Sequence, residues 1–256
     1  MANTLSVTGS SDIGRIRRRN EDAIALVPEL GIAVVADGMG GHPGGDVASR
    51  IAADTAAELL RDAVTNQTPD SSFGDGMMPL IETAVVSAHG RIRDRGTEEP
   101  RLDGMGTTLT AMAIDATTGA YVIGHVGDSR AYRLRAGRLE QLTRDDTWVQ
   151  QQIDSGRMPP SAARNSPYAH LLTQCLGLED PPKPQVLHGH AESGDVFLLC
   201  TDGLVGMLPD DRMSALLSEH LSANGTGADG AVDALLAAAN DEGGHDNITA
   251  ALVRFD

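Results

Sequence analysis

The sequence predicts an α+β domain with segregated layers, not an alternating α/β sheet. Apolar runs of period two come in blocks: strands, two helices, four further strands, two more helices and a last strand. The four central strands, at residues 107–114, 121–126, 130–135 and 138–142, are joined by connections too short for parallel crossovers, so they read as an antiparallel meander. No internal repeat or linker divides the 256 residues, and one domain over 1–256 is expected.

Taken in order, residues 4–9 alternate apolar and polar and read as an edge strand. Residues 14–22 form a basic loop ending in Glu21-Asp22; on charge alone this is a solvated cluster. Strands at 23–27 and 31–36 pair around the turn Pro28-Glu29-Leu30-Gly31. A helix over 45–64 gathers Val47, Ile51, Ala52, Thr55, Leu59 and Ala63 on one face. After a polar loop at 65–75, a second helix over 77–95 does the same with Leu80, Ile81, Ala84, Val85, Ala88 and Ile92. Residues 97–106 are a loop, and the meander follows. A helical turn at 145–155 surrounds Trp148, Val149 and Ile153. Residues 156–170, with Pro159, Pro160 and Pro167, read as a mobile surface flap. Strands at 185–189 and 196–200, helices at 209–220 and 229–240, and a strand at 248–255 complete the chain.

Composition narrows the function. Hydrophobic residues make up 41 % but aromatics only 3 %, so Ala, Val, Leu and Ile must build the core. A net charge of −16 argues against duplex nucleic acid and anionic membrane as partners. Cys175 and Cys200 sit in apolar runs and read as buried thiols of a reducing compartment. The first residues lack a basic, then apolar leader, and no run reaches 18 apolar residues; a cytoplasmic protein is expected.

The chemistry lies in acids at strand tips. Val34-Val35-Ala36 ends in Asp37-Gly38-Met39-Gly40-Gly41-His42; Asp128 and Asp202 close two later apolar runs, and Asp246 precedes the last one. Asp-Gly is a common turn pair, so each aspartate alone reads as a turn residue. Together they read differently. Several carboxylates in one place repel unless cations lie between them, and a chain without Cys-His zinc spacing offers oxygen ligands suited to Mg²⁺ or Mn²⁺. Two such cations about 3.5–4 Å apart activate a bridging water and clamp a phosphoryl group. Arg17 stands where a planar fork could meet phosphate oxygens. The glycine-rich loop is no dinucleotide fingerprint, because Pro43 occupies the third glycine position. His125 reads as a packed strand histidine, His188 and His190 as surface residues, and Ser129 lacks a base to activate it.

These residues carry a resemblance. Arg17-x-x-Asn20-Glu21-Asp22, Val35-Ala36-Asp37-Gly38-Met39-Gly40-Gly41-His42, Gly106-Thr107-Thr108, Val126-Gly127-Asp128-Ser129-Arg130, Leu142-Thr143-Arg144-Asp145, Cys200-Thr201-Asp202-Gly203-Leu204 and His245-Asp246-Asn247-Ile248-Thr249 resemble, in order, the motifs of the metal-dependent Ser/Thr protein phosphatases of type 2C in their compact bacterial form. The resemblance implies a four-layer αββα sandwich with two antiparallel sheets flanked by helices. It implies a two-metal Mn²⁺ or Mg²⁺ centre: Asp37 bridging, Asp202 and Asp246 on the first ion, the Gly38 carbonyl on the second, and Asp22, with Glu21, acting through water. Asp128 and Asp202 would hold a third ion, Arg17 the substrate phosphate, and His42 would protonate the leaving alkoxide. Flap residues 163–170 depart from the family pattern, so no flap contact carries over.

The implied activity is hydrolysis of phosphoserine and phosphothreonine in proteins by a metal-activated water, by a monomer whose partners are a Ser/Thr kinase and its substrates. A catalytically weak regulatory module of the same fold and a metallohydrolase of a small phosphorylated metabolite stay open at this point.

Overall fold

Period-two alternation decides which side of each strand faces helices and which faces another sheet. In β3 (Ile32–Asp37) the even-numbered Ile32, Val34 and Ala36 pack against helices, whereas Ala33 and Val35 pack against a second sheet. Both faces are buried, so the strand is a continuous apolar run. In the computed structural model, which describes residues 4–39, 44–66, 73–163, 166–222 and 224–256, this pattern repeats across two five-stranded antiparallel sheets packed face to face.

The first sheet orders β2 (Asp22–Val27), β3, β4 (Leu109–Ile114), β5 (Ala120–Val126) and β8 (Gln185–His190). The second orders β1 (Leu5–Asp12), β10 (Ile248–Phe255), β9 (Asp195–Cys200), β6 (Arg130–Arg135) and β7 (Arg138–Gln141). Helices α1 (Gly45–Thr65) and α2 (Phe73–Glu98) cover the outer face of the first sheet; α6 (Asp210–His220) and α7 (Gly227–Asp241) cover that of the second. Between the sheets lie Val35, Met112, Ile123, Phe197, Leu199 and Val253. A buried side chain of this kind contributes about 1.5–3 kcal/mol. The layers are therefore α, β, β, α.

The structure departs from the sequence reading in four places. The four central strands are not one meander. β4 and β5 pair in the first sheet, β6 and β7 in the second, and Gly127-Asp128-Ser129 crosses between them. β5 takes β8 as its other neighbour, and β6 takes β9. Gly127 makes the crossing possible: its φ is +110°, and a Cβ there would lie 2.6 Å from the Thr108 Cγ2. Helix α2 starts at Phe73, four residues before the expected Met77, because the buried Phe73 anchors an extra turn. Thr107 and Thr108 precede β4; Thr107 forms isolated bridges to Gly38 and Leu176. A short helix, α5 (Asp202–Val205), forms where the Asp202-Gly203 pair alone reads as a turn.

The described residues of 156–170 are largely exposed and carry α4 (Pro160–Ala163). It is tied back where the Tyr168 ring meets Trp148 of α3 (Trp148–Asp154), with centroids 5.2 Å apart. Both cysteines are buried and free; burial pushes the Cys175 thiol up to about 11 and the Cys200 thiol up to about 12. His188 and His190 are exposed on β8, an edge strand. Among the described residues no helix is long and apolar enough to cross a membrane.

Candidate metal centre

At one end of the sandwich the alternation that fills the seam with apolar side chains continues, but the residues turn polar. Extending the inner face of each strand by two positions gives Asp22 and Asp37 on β2 and β3, Thr108 and Thr110 on and before β4, and His125 on β5. From the second sheet come Ser129, Thr201 and Thr249. Here the two sheets open a cleft of about 730 Å³, whose walls include Arg17, Glu21, Asp37, Gly38, Thr108, Asp128, His170, Asp202 and Asp246.

Asp37 is fixed from behind. Its N–H donates to the Thr108 hydroxyl at 2.9 Å, and its carbonyl accepts from the Thr107 hydroxyl at 2.8 Å and the Thr108 N–H at 2.9 Å. Gly38 follows with its N–H on the Glu21 carbonyl, and a Cβ at Gly38 would meet both that oxygen and the Gly45 carbonyl. The backbone can make this turn only without a side chain.

Asp22 lies opposite Asp37 in the β2–β3 register, but it does not line the cleft. Its Oδ2 accepts from the Thr201 hydroxyl at 2.8 Å and the Thr249 hydroxyl at 2.6 Å, which hold it inside the seam. Glu21, one residue earlier and outside the strand, faces the cleft instead. Placement thus differs from a reading that put Asp22 first and Glu21 second.

Asp246 accepts from the Arg17 guanidinium at 2.7 Å, and its other oxygen accepts from the Asn247 N–H at 2.8 Å. Asn247 is nearly buried and acts as a clamp. Its Oδ1 accepts from the Glu21 N–H at 2.8 Å, while its Nδ2 donates to the carbonyls of Ile13 and Arg19, each at 2.9 Å. Asp202 stands at the start of α5, its carboxylate 3.3 Å from the His170 Nδ1. Asp128, 9 % exposed, joins them: one donor atom from each of Asp128, His170 and Asp202 lies within 4.8 Å of the others.

The electrostatics describe an acid-rich site short of positive charge. Burial, then Asp22 and Asp202, hold the Asp37 carboxyl well above the usual range. Burial pushes Asp22 up to about 7 despite its two hydroxyl bonds, and pushes Asp128 up to about 8, with Asp202 and Asp145 adding to it. Asp202 goes the other way: burial would raise it, but hydrogen bonds with His170 and Asp37 outweigh that. His170 is raised by its bond to Asp202. One oxygen of Asp22, Oδ1, is buried without any hydrogen-bond partner. Buried carboxylates in this state lack compensation, and a set of carboxylate and carbonyl oxygens is what hard divalent cations bind. The residues present fit such ions.

The structure thus gathers Arg17, Asp37, Gly38, Asp128, Asp202 and Asp246 around one cleft and sets Asp22 behind it. His42 lies outside the described residues. Two participants were not singled out from sequence. Asn247 had a signal, its place in the Asp246-Asn247 pair, but not its clamping role. His170 had none, since 32 residues of chain separate it from Asp202. His125 is buried, with its Nδ1 2.9 Å from the Thr110 hydroxyl, and Ser129 is buried against Thr108.

Comparison with known proteins places these features in context. The family model described as protein phosphatase 2C matches residues 15–239. The serine/threonine protein phosphatase PstP of Mycobacterium tuberculosis is 36 % identical over 209 residues, which is 82 % of this chain and 38 % of that protein. The serine/threonine phosphatase stp of Listeria monocytogenes is 36 % identical over 249 residues, 96 % of this chain and 94 % of that protein. Among solved structures, the catalytic domain of PstP in complex with two manganese ions superposes with a TM-score of 0.82 at 31 % identity, covering 99 % of both chains. The chain thus spans under half the length of the mycobacterial relative and nearly all of the Listeria one.

Proposed function

The chain belongs to the protein phosphatase 2C family, and on that premise we propose that it is a metal-dependent phosphatase of phosphoserine and phosphothreonine in proteins. The observation that carries this reading is the convergence of Asp37, Asp128, Asp202 and Asp246 with Arg17 on one cleft. Asp37, Asp202 and Asp246, with the Gly38 carbonyl and Glu21, would hold two Mn²⁺ or Mg²⁺ ions, and Asp22 backs Asp37 from within the seam. The chemistry such ions would supply is a water acidic enough to give a hydroxide nucleophile at neutral pH, and charge to stabilise the phosphoryl oxygens. The manganese pair in the PstP catalytic domain supports this choice.

The side chains do the rest. Arg17, held by Asp246, turns its remaining N–H donors to the phosphate. His42, by the sequence pattern, protonates the departing serine or threonine oxygen. A covalent phosphoenzyme is disfavoured by the residues at hand. Cys175 lines the cleft but its thiol is pushed up to about 11, so little thiolate exists at neutral pH, and the Ser129 hydroxyl is spent on Thr108. We place a third, weaker cation among Asp128, His170 and Asp202. This catalytic domain would act in the cytoplasm, as a monomer, on phosphoproteins that a Ser/Thr kinase supplies.

The test is turnover of a phosphothreonine peptide. It should require Mn²⁺ or Mg²⁺, vanish in EDTA, and fall by about 10³-fold or more in Asp37→Asn with the fold intact. Turnover in excess EDTA, or an Asp37→Asn protein of unchanged kcat, would falsify the metal assignment. Faster turnover of small phosphorylated metabolites than of phosphopeptides would overturn the protein-substrate assignment.

A further inference from the structure

The loop between β1 and β2 is exposed in its side chains but fixed in its backbone. The Gly14 N–H donates to Asp12 at 2.7 Å and the Arg15 N–H to the Gly244 carbonyl at 2.7 Å. Asn247 holds the carbonyls of Ile13 and Arg19, and the Asn20 amide donates to the Ser11 hydroxyl at 2.8 Å. Five of its residues, Arg15-Ile16-Arg17-Arg18-Arg19, include four arginines in a chain of net charge −16. Arg17 alone of these makes an ion pair, with Asp246, while Arg19 lies within electrostatic reach of Glu21. Arg15, Arg18 and Arg19 are exposed and make no side-chain hydrogen bond or ion pair among the described residues. Elsewhere Arg91, Arg95, Arg130, Arg133, Arg135 and Arg144 are paired with acids, and the other exposed arginines without an ion pair, such as Arg50, Arg61 and Arg212, are scattered singly; three within five residues beside Arg17 set this loop apart.

Three unpaired guanidiniums on a rigid lip, beside the arginine that faces the cleft, have a consequence for what the cleft accepts. The body of the protein repels acidic segments, but at physiological salt that repulsion is screened beyond about 8 Å. Within that range the lip offers flanking acids the nearest cations, while bound Mn²⁺ or Mg²⁺ would offset the cleft's own carboxylates. Its forks match carboxylates, and the fixed backbone means little ordering remains to be done on binding. An extended peptide advances roughly 3.3 Å per residue, so the lip reaches acids within about four positions of a phosphate at Arg17.

Building on the phosphatase reading above, we propose that Arg15, Arg18 and Arg19 are specificity-determining residues that select phosphoproteins with Asp or Glu flanking the phosphorylated residue. None of the three touches the reacting atoms. They set which peptides reach the centre, and they act on the encounter and KM rather than on the chemical step.

The experiment compares two phosphothreonine peptides, one with Asp and Glu at flanking positions and one with Asn and Gln there. Substrates are offered to the full chain with Mn²⁺ and to the variant Arg15→Gln, Arg18→Gln, Arg19→Gln. An aryl phosphate without flanks reports the centre itself. The wild type should prefer the acidic peptide by about tenfold in kcat/KM, as expected of two or three exposed ion pairs, and the preference should shrink as salt rises. The variant should lose that preference through KM, with aryl phosphate turnover unchanged. Equal kcat/KM for both peptides in the wild type, or a preference that survives in the variant, overturns the proposal. Absence of aryl phosphate and peptide turnover in the wild type strikes at the phosphatase reading instead. Calorimetric binding of the two peptides then still decides the lip, since the acidic one must bind the wild type more tightly than the variant.

Discussion

Asp128→Asn in the cation-free protein probes the centre most directly. Asp128 sits on the crossing between the sheets, 9 % exposed, its carboxyl pushed up to about 8 from an ordinary value of 3.8 by burial and by its acidic neighbours. In the unfolded chain it ionises near that ordinary value. An acid whose folded value is raised makes the native state hold its proton longer, so stability is full below about pH 4 and is lost as pH rises towards 8. At 1.36 kcal/mol per pH unit, the loss accumulated by pH 7 is up to about 4 kcal/mol from this group alone. Asn has nearly the same shape and cannot ionise. In EDTA, Asp128→Asn should therefore be more stable than wild type at pH 7, by an amount that shrinks towards zero near pH 4. With Mn²⁺ the variant's advantage should shrink, because a ligand that binds only the native state stabilises it and the variant has lost a donor. Urea unfolding at several pH values, followed by the fluorescence of the single Trp148, measures this, and calorimetry counts the manganese sites, of which the variant should lose one weak one. Parallel pH profiles in EDTA, or a uniform loss of about 1 kcal/mol in the variant, would refute the reasoning and leave Asp128 a turn residue.

Two further outcomes follow from the loop that carries Arg17. Arg17→Ala should raise KM and lower kcat for a phosphopeptide, whereas Arg17→Lys should restore only part of either, because a point charge cannot grip two oxygens; steady-state kinetics with normal values for both variants would return Arg17 to the solvent-exposed lip. Asn247→Ala strands the Glu21 N–H and two carbonyls, and should cost about 2 kcal/mol, a drop in Tm of roughly 4–8 °C, together with a higher KM. A thermal scan that matches wild type would show that the clamp is dispensable.

Most of the secondary structure was legible in the chain because it rests on local periodicity. β3 reads as a buried strand over 31–36, and α1 and α7 read as helices, since 2.0 and 3.6 residues per repeat are visible over a few turns. The acids were legible as well: each of Asp37, Asp128, Asp202 and Asp246 stands beside an apolar strand. The family resemblance then tied them into one set. What periodicity alone does not contain is which strands pair. The order β1-β10-β9-β6-β7 joins the first strand to the last and splits the central four between two sheets.

That pairing is a property of long-range contacts, and it decides the details of the centre. It turns Asp22 inward onto Thr201 and Thr249 from the other sheet, and leaves Glu21 at the cleft. It makes Gly127-Asp128-Ser129 a bridge between sheets rather than a hairpin turn. It also brings His170 of the exposed segment against Asp202, and Asn247 across to the loop of Arg17. The sequence by itself determined which side chains alternate and which acids end their strands, because sterics and hydrophobic period act between near neighbours. Only the tertiary structure decided which of those acids share a cleft, because burial of both faces of both sheets is satisfied by one register of strands that lie far apart in the chain.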